Sequence, residues 1–313
     1  MSYDTTNPDD VEEEQTEHRV DDGYQFEGLG TAVGSFLVLG VGFVFTLFFV
    51  GQFTGQSGGI GAGSDILTGS GLAFAVLLSP LLALFVGVLS GRSDNPNAVR
   101  DAGVGSALGF VVMFFVTLVV ASSLQTQSAG VGGNVIGPLT GYTVGVGLTS
   151  AAAAAVTRSD AGVSGSIADH SLGRPVTFGV GIFLAFGVGY AVSVFLTDAL
   201  GPGADAGSSS GLLAGANVSM MLGIGLLLAP VVGLLVGTLV SRDDVEDEVE
   251  AAVGSGVGSA LGAAILVVVA YVAILVVEPG GMPAGDFPFG LLVGLLVGTG
   301  LTGAGAGYVS AKN

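Results

Sequence analysis

Two Gly-x-Ser-x-Gly strings come closest to catalytic machinery: Gly55–Gly59 around Ser57 and Gly207–Gly211 around Ser209. In hydrolases such a string sets a serine on a sharp turn, where a histidine activates it. The chain has two histidines, His18 and His170, both in polar segments. In the topology derived below they lie across the membrane from both serines, and Gly/Ser-rich loops produce such strings by composition alone. A serine nucleophile is therefore not expected. With no cysteine in the chain, disulfides, thiolate metal sites and cysteine nucleophiles are excluded. There is no phosphate loop ending in Lys-Ser/Thr, no His-Glu-x-x-His and no pair of carboxylates at membrane depth. The residue types point to no catalytic group, no cofactor and no metal site, so the chain is expected not to be an enzyme.

A few residues could handle a solute instead. Pro80 and Pro230 stand inside two long apolar runs at matching places. Each removes one backbone donor and should kink its helix. Paired interruptions of this kind mark midplane sites in transporters, although a purely structural kink is the commoner role. Asn217 and Ser219 are polar groups within an apolar run. They could bond a neighbouring helix or touch a solute. Pro80, Pro230, Asn217 and Ser219 are the candidate gate or solute site. Tyr142 and Tyr190 are polar-tipped aromatics for which packing or interface anchoring comes first. The acidic stretch Asp243–Glu250 lacks calcium-loop spacing and reads as a solvated helix start.

The elements that must position these residues follow from composition. Half of the 313 residues are hydrophobic and 10% are charged, against about 25% charged in soluble domains. Eight apolar stretches cover Leu29–Gly51, Gly69–Ser90, Gly103–Leu124, Val135–Val156, Val176–Thr197, Gly215–Val240, Val253–Val277 and Phe287–Val309, and none holds Asp, Glu, Lys, Arg or His. Each is long enough, at about 1.5 Å per residue, to cross a hydrocarbon layer of about 30 Å. Strand alternation is absent, and open strands cannot satisfy their backbone in lipid, so helices are expected. The fourth and eighth are weakest, being rich in Ala, Gly and Thr. Without ionisable groups in the spans, a carboxylate proton relay is disfavoured.

All seven basic residues (Arg19, Arg92, Arg100, Arg158, Arg174, Arg242 and Lys312) fall on one side of an eight-span arrangement. The positive-inside rule then places both termini in the cytoplasm, with the chain in the cell membrane. The chain also repeats itself. GVGSALG occurs at Gly103–Gly109 and again at Gly256–Gly262. Gly34–Phe43 resembles Gly181–Tyr190, Ser79–Arg92 resembles Ala229–Arg242, and Val144–Val156 resembles Val297–Val309. The offsets are 153 for the first pair and 147, 150 and 153 for the others, read directly from the numbering. A four-helix unit returns the chain to its starting side, so the repeats are parallel.

The expected architecture is all-α integral membrane: eight transmembrane helices as two tandem parallel four-helix repeats, with a pseudo-twofold axis along the membrane normal. Residues 1–28 are a disordered acidic tail, 29–160 the first repeat, 161–175 a cytoplasmic linker and 176–313 the second repeat. Fifty-six glycines far exceed the usual share of about 7%. Many are four apart: Gly30/Gly34, Gly105/Gly109, Gly141/Gly145, Gly233/Gly237, Gly254/Gly258/Gly262 and Gly290/Gly294/Gly298. Such spacing lets helices approach closely in lipid. Asn95 as N-cap and Pro96 at the first helical position should start the third helix.

The formal net charge is −18, with 25 carboxylates against seven basic groups. A surface this acidic self-repels in dilute buffer, and molar salt screens it, because the Debye length falls to about 3 Å at 1 M. Nucleic acid is not an expected partner, since phosphate contacts need clustered Lys and Arg. With its acidic tail Asp9–Glu17, its acidic loop Asp243–Glu250 and its Gly/Ala/Val-rich helices, the chain resembles uncharacterised multi-pass membrane proteins of haloarchaea. That resemblance implies a saline habitat rather than an activity. The expected function is a channel or carrier for a small solute or ion; the alternative is a non-catalytic structural or accessory subunit of a membrane complex. The partners are a lipid bilayer and either further copies of the chain or a membrane complex.

Overall fold

The structure, a computed structural model, describes residues 29–38, 42, 61–124, 135–162, 173–200, 223, 225–240, 248–277 and 289–312. The acidic tail, both histidines, both Gly-x-Ser-x-Gly strings, Asn217, Ser219 and Asp243–Asp247 lie outside the described residues. Among the described residues all regular structure is helical. The helices are α1 (Leu29–Val38), α2 (Gly61–Gly91), α3 (Ala98–Leu124), α4 (Ile136–Gly162), α5 (Gly173–Ala199), α6 (Ala229–Val240), α7 (Glu248–Val277) and α8 (Phe289–Lys312).

Five of these, α3, α4, α5, α7 and α8, are long and apolar enough to cross a membrane. The weak fourth and eighth stretches are among them. The second expected span, Gly69–Ser90, lies inside α2, and the described apolar helices Leu29–Val38 and Gly225–Val240 fall within the first and sixth. Uninterrupted apolar sequence favours helix here because every backbone group is satisfied within the segment.

The helices reach beyond the apolar runs. α3 begins at Ala98 and α7 at Glu248, each about a turn ahead of its run, and α4 continues to Gly162. Asp101 sits in the first turn of α3, and Glu248 and Glu250 in that of α7, where a carboxylate complements the exposed N–H groups.

α4 lies at the centre of the bundle, packed on α2, α3 and α5; α5 in turn packs on α7, and α8 packs on α6 and α7. α1 lies along α3: a methyl group at Gly105 or Gly109 would collide with Ala32 or Phe36. A file of buried rings runs through the middle, from Phe110 on α3 to Tyr142 on α4 (6.2 Å) and on to Tyr190 on α5 (6.5 Å, edge-on). Phe186 completes it at 5.6 Å from Tyr190. Both tyrosines are core packing residues rather than interface anchors.

Closeness between helices comes from missing side chains. A β-carbon at Gly145 on α4 would overlap Ser193 of α5, and one at Gly189 on α5 would overlap Thr149 of α4. Removing the side chain on each helix brings the backbones together, which is how helices gain contact where lipid supplies no hydrophobic drive. Of the glycine pairs spaced four apart, Gly105/Gly109, Gly141/Gly145, Gly233/Gly237 and Gly258/Gly262 face a neighbouring helix in this way. Gly30/Gly34 on α1 and Gly290/Gly294/Gly298 on α8 meet no other described residue in this way.

Candidate functional site

α2 runs without a break through Pro80. Proline has no N–H, so the carbonyl four residues earlier, on Val76, loses its helical donor. The Ser79 hydroxyl takes over: its Oγ donates to Val76 O at 2.6 Å, in a buried setting. Hydroxyl side chains commonly repair proline gaps in membrane helices.

α6 handles its proline differently. Pro230 leaves the carbonyl of Leu226 without its helical donor, and the residue before it is Ala229, which has no hydroxyl. The helix is interrupted at Leu228, a turn residue between the helical 225–227 and the body of α6. One turn tightens there: Leu228 N–H donates to Gly225 O at 3.2 Å, while Leu228 O accepts from both Val231 N–H at 3.0 Å and Val232 N–H at 3.1 Å, the latter the ordinary helical bond. Gly225 lies against the ring of Tyr190. Neither Pro80 nor Pro230 lines the cavity described below, and Asn217 and Ser219 lie outside the described residues.

A polar cluster stands at the end of the bundle where α2 turns into α3. Asn95 begins it as the expected cap: its Oδ1 accepts from the Asn97 N–H at 2.9 Å. Its amide then donates to Asp101 Oδ2 at 2.9 Å. Asp101 is a buried carboxylate, 3% exposed at its side chain, and its other oxygen lies 3.4 Å from the Arg100 guanidinium, which is 63% exposed. Arg158, from the last turns of α4, donates to the Asn95 and Pro96 carbonyls at 2.9 Å each. Arg92 reaches across to α6 and donates to Leu239 O at 3.0 Å, a cation on the carbonyl end of a helix.

Beside Asp101 is a cavity of about 150 Å³, lined by Thr31 and Ser35 of α1, Val86 and Leu89 of α2, and Asn95. It is smaller than the ~300–1,000 Å³ of drug-sized ligand pockets, and it suits water or a small ion. Both Asp101 oxygens already have partners, so the cluster mainly fixes the α2–α3 turn against α4. Among the described residues no three His, Cys, Asp or Glu side chains gather to hold a metal ion.

Sequence reasoning found Asn95 and Pro96, counted Arg92 and Arg158 only among the basic residues of one side, and did not single out Asp101. The available signal was spacing: Asp101 comes six residues after the cap, within the first helical turns, where a carboxylate can fold back on it. Comparison of the chain with protein families, with curated proteins and with solved structures finds no match.

Proposed function

We propose that this chain is an eight-span membrane protein built from two tandem parallel four-helix repeats, and that it passes a small solute or ion along the seam between them. The termini lie in the cytoplasm, the membrane is the cell membrane, and the acidic surface works in concentrated salt.

Paired contacts support the repeats. Gly87 meets Ser150 and Ala153, and Gly237 meets Gly303 and Ala306; Gly103 meets Gly147 and Ala151, and Gly256 meets Gly300 and Ala304. Gly109 meets Phe36, and Gly262 meets Phe183. In each case the partners shift by the offsets of the sequence repeat. A twofold axis would also seat α1 on α8 as α5 sits on α4. The open glycines of both helices favour a rotation about the membrane normal that leaves this pair apart.

The interruption of α6 at Leu228 carries the transport reading. Irregular backbone at membrane depth persists where it is buried in protein or lines a cavity, and broken helices build the sites of many transporters. The break abuts Tyr190 of α5 and precedes a proline whose repeat partner, Pro80, is repaired. The α6 break is thus the gate, and α2 its rigid counterpart.

Flux into proteoliposomes matched in molar salt tests this, with Pro80→Ala and Pro230→Ala beside the wild type. The α6 variant should change the flux and the α2 variant leave it close to wild type. Unchanged flux in both would remove the gate. The open face of α8 favours a second reading, an accessory subunit. Native purification in molar KCl that yields a stoichiometric partner, with no flux by the purified chain, would establish that reading instead.

A further inference from the structure

The cavity beside Asp101 has a wall rich in oxygen. Thr31 and Ser35 of α1, Ser90 and Ser93 where α2 ends, Asn95 and Asp101 supply its polar part. Several donors on this wall already have acceptors. Ser35 Oγ donates to Thr31 O at 2.9 Å, Ser93 Oγ donates to Ser90 O at 2.6 Å, and the Asn95 amide donates to Asp101. A hydroxyl that donates to the backbone keeps its lone pairs for another partner. The Asp101 carboxylate is buried, and its neighbours offset its charge only in part. Asn95 is neutral, and Arg100 stands 3.4 Å away, beyond the ~2.7–2.9 Å of a strong charge-assisted bond. The cavity therefore offers oxygen lone pairs around one buried negative charge.

The equivalent place in the second repeat is apolar. Under the repeat offsets Thr31 corresponds to Phe178, Ser35 to Ile182, Ser90 to Val240 and Asp101 to Gly254. Phe178 and Ile182 belong to the buried core, and Val240 packs against it. One repeat fills the place with hydrocarbon, and the other leaves about 150 Å³ faced with oxygen. We infer that this cavity binds one alkali cation, Na⁺ or K⁺, through the Asp101 carboxylate and the neighbouring neutral oxygens. The repeat comparison rests on the tandem-repeat reading above; the cavity and its carboxylate do not. An anion would meet the carboxylate. Calcium sites use several carboxylates, and among the described residues no three His, Cys, Asp or Glu side chains gather. An alkali cation needs one charge and neutral oxygens. At about 30 Å³ per water, the space admits the ion with a few waters and little more. Thr31 and Ser93 are exposed, so the ion has a way in at the end of the bundle, separate from the α6 break.

Binding of radioactive sodium, and of radioactive rubidium as a stand-in for K⁺, to the purified full chain in detergent tests this. N-methylglucamine chloride holds the ionic strength constant, so screening of the acidic surface does not change. One ion per chain should bind saturably, and competition by unlabelled Na⁺ and K⁺ assigns it. Asp101→Asn removes the charge and should abolish binding. Ser35→Ile fills the cavity as Ile182 fills its counterpart, and should abolish binding too. The preferred ion should raise the melting temperature of the wild type and of neither variant. No saturable binding to the wild type, binding that survives both substitutions, or equal melting shifts in all three chains would overturn the site. Should Asp101→Asn fail to fold, Ser35→Ile and Thr31→Val decide in the same way. Loss of binding in Asp101→Asn and Thr31→Val, beside a Ser35→Ile chain that cannot fold, would uphold the site and count against the repeat alignment.

Discussion

Pro80 and Pro230 sit at equivalent places in α2 and α6, yet α2 is continuous and α6 breaks at Leu228. The same contrast recurs one layer away. Ser106 on α3 donates to Ser150 on α4 at 2.8 Å. The residues 153 further on are Ser259 on α7 and Gly303 on α8, and the Ser259 hydroxyl is buried without a hydrogen-bond partner. There the hydroxyl nearest α8 is Ser255, whose Oγ shares its one proton between Ala251 O of its own helix at 2.6 Å and Gly303 O of α8 at 2.9 Å. The glycine faces differ as well, filled on α4 and open on α8. At these positions hydroxyls close the gap in α2 and between α3 and α4, whereas their counterparts at Ala229 and Ser259 do not. On the repeat reading proposed above, the Ser79 and Ser106 hydroxyls have partners where Ser259 has none among the described residues.

The widest separation between the two parts should come from the glycine faces. Gly145→Ala drives a methyl into Ser193 of α5, and overpacking of this kind costs about 1–3 kcal/mol and sometimes more. Its counterpart Gly298→Ala meets open space and should stay within about 0.5 kcal/mol of wild type, as surface changes do. Thermal unfolding of the monomer in detergent and molar salt compares them. Equal losses would erase the distinction between α4 and α8.

Next in size is Asp101, whose counterpart 153 residues on is Gly254. Asp101→Ala leaves the Asn95 amide and the Arg100 guanidinium without their acceptor. Leaving a buried donor unpaired costs roughly 1–3 kcal/mol. Proteolysis within the Arg92–Asn97 turn should accelerate in step with the loss of stability. A variant as resistant as wild type would show that Arg158 alone holds the turn.

The serine beside Pro80 allows an exchange between helices. Ser79→Ala removes the hydroxyl donor to Val76 O and should destabilise by about 1–2 kcal/mol. Ala229→Ser places a hydroxyl where it can reach Leu226 O in α6, and should stabilise by about 0.5–1 kcal/mol while slowing any flux through the break. If Ala229→Ser stabilises and the flux stays as it was, the α6 break is not the gate.

The existence of the helices was legible from apolar runs, and the early starts of α3 and α7 from the Asn95–Pro96 cap and the acidic stretch Asp243–Glu250. The continuation of α4 to Gly162, past its apolar run, was not, because hydropathy marks where side chains meet lipid or core whereas backbone bonding continues through polar residues. The cap at Asn95–Pro96 was legible because it is local. Asp101 was not, because its burial depends on α1, far earlier in the chain, whose Thr31 and Ser35 line the same cavity. Ser79 becomes visible only by asking which carbonyl Pro80 orphans. The glycine pairs read alike in sequence: nothing local separates Gly141/Gly145, which are packed, from Gly294/Gly298, which are open.

The smallest contrast isolates hydrogen bonding from shape. Ser106 and Ser259 are both fully buried and occupy the same register of the repeated heptamer. Ser106→Ala breaks the bond to Ser150 and strands its hydroxyl, a loss of about 1 kcal/mol. Ser259→Ala deletes a hydroxyl that has no partner. That removes a desolvation penalty and nothing else, so stability should hold or rise by a few tenths of a kcal/mol. The adjacent Gly303 has no β-carbon, and one added there would run into Ser259. Loss of the Ser259 hydroxyl would relieve that crowding, so Gly303→Ala should be tolerated better beside Ser259→Ala than alone. A double-mutant cycle measures that coupling directly. A coupling of zero would mean that α7 and α8 already have the freedom to part, and that the unpaired serine is not what keeps Gly303 small.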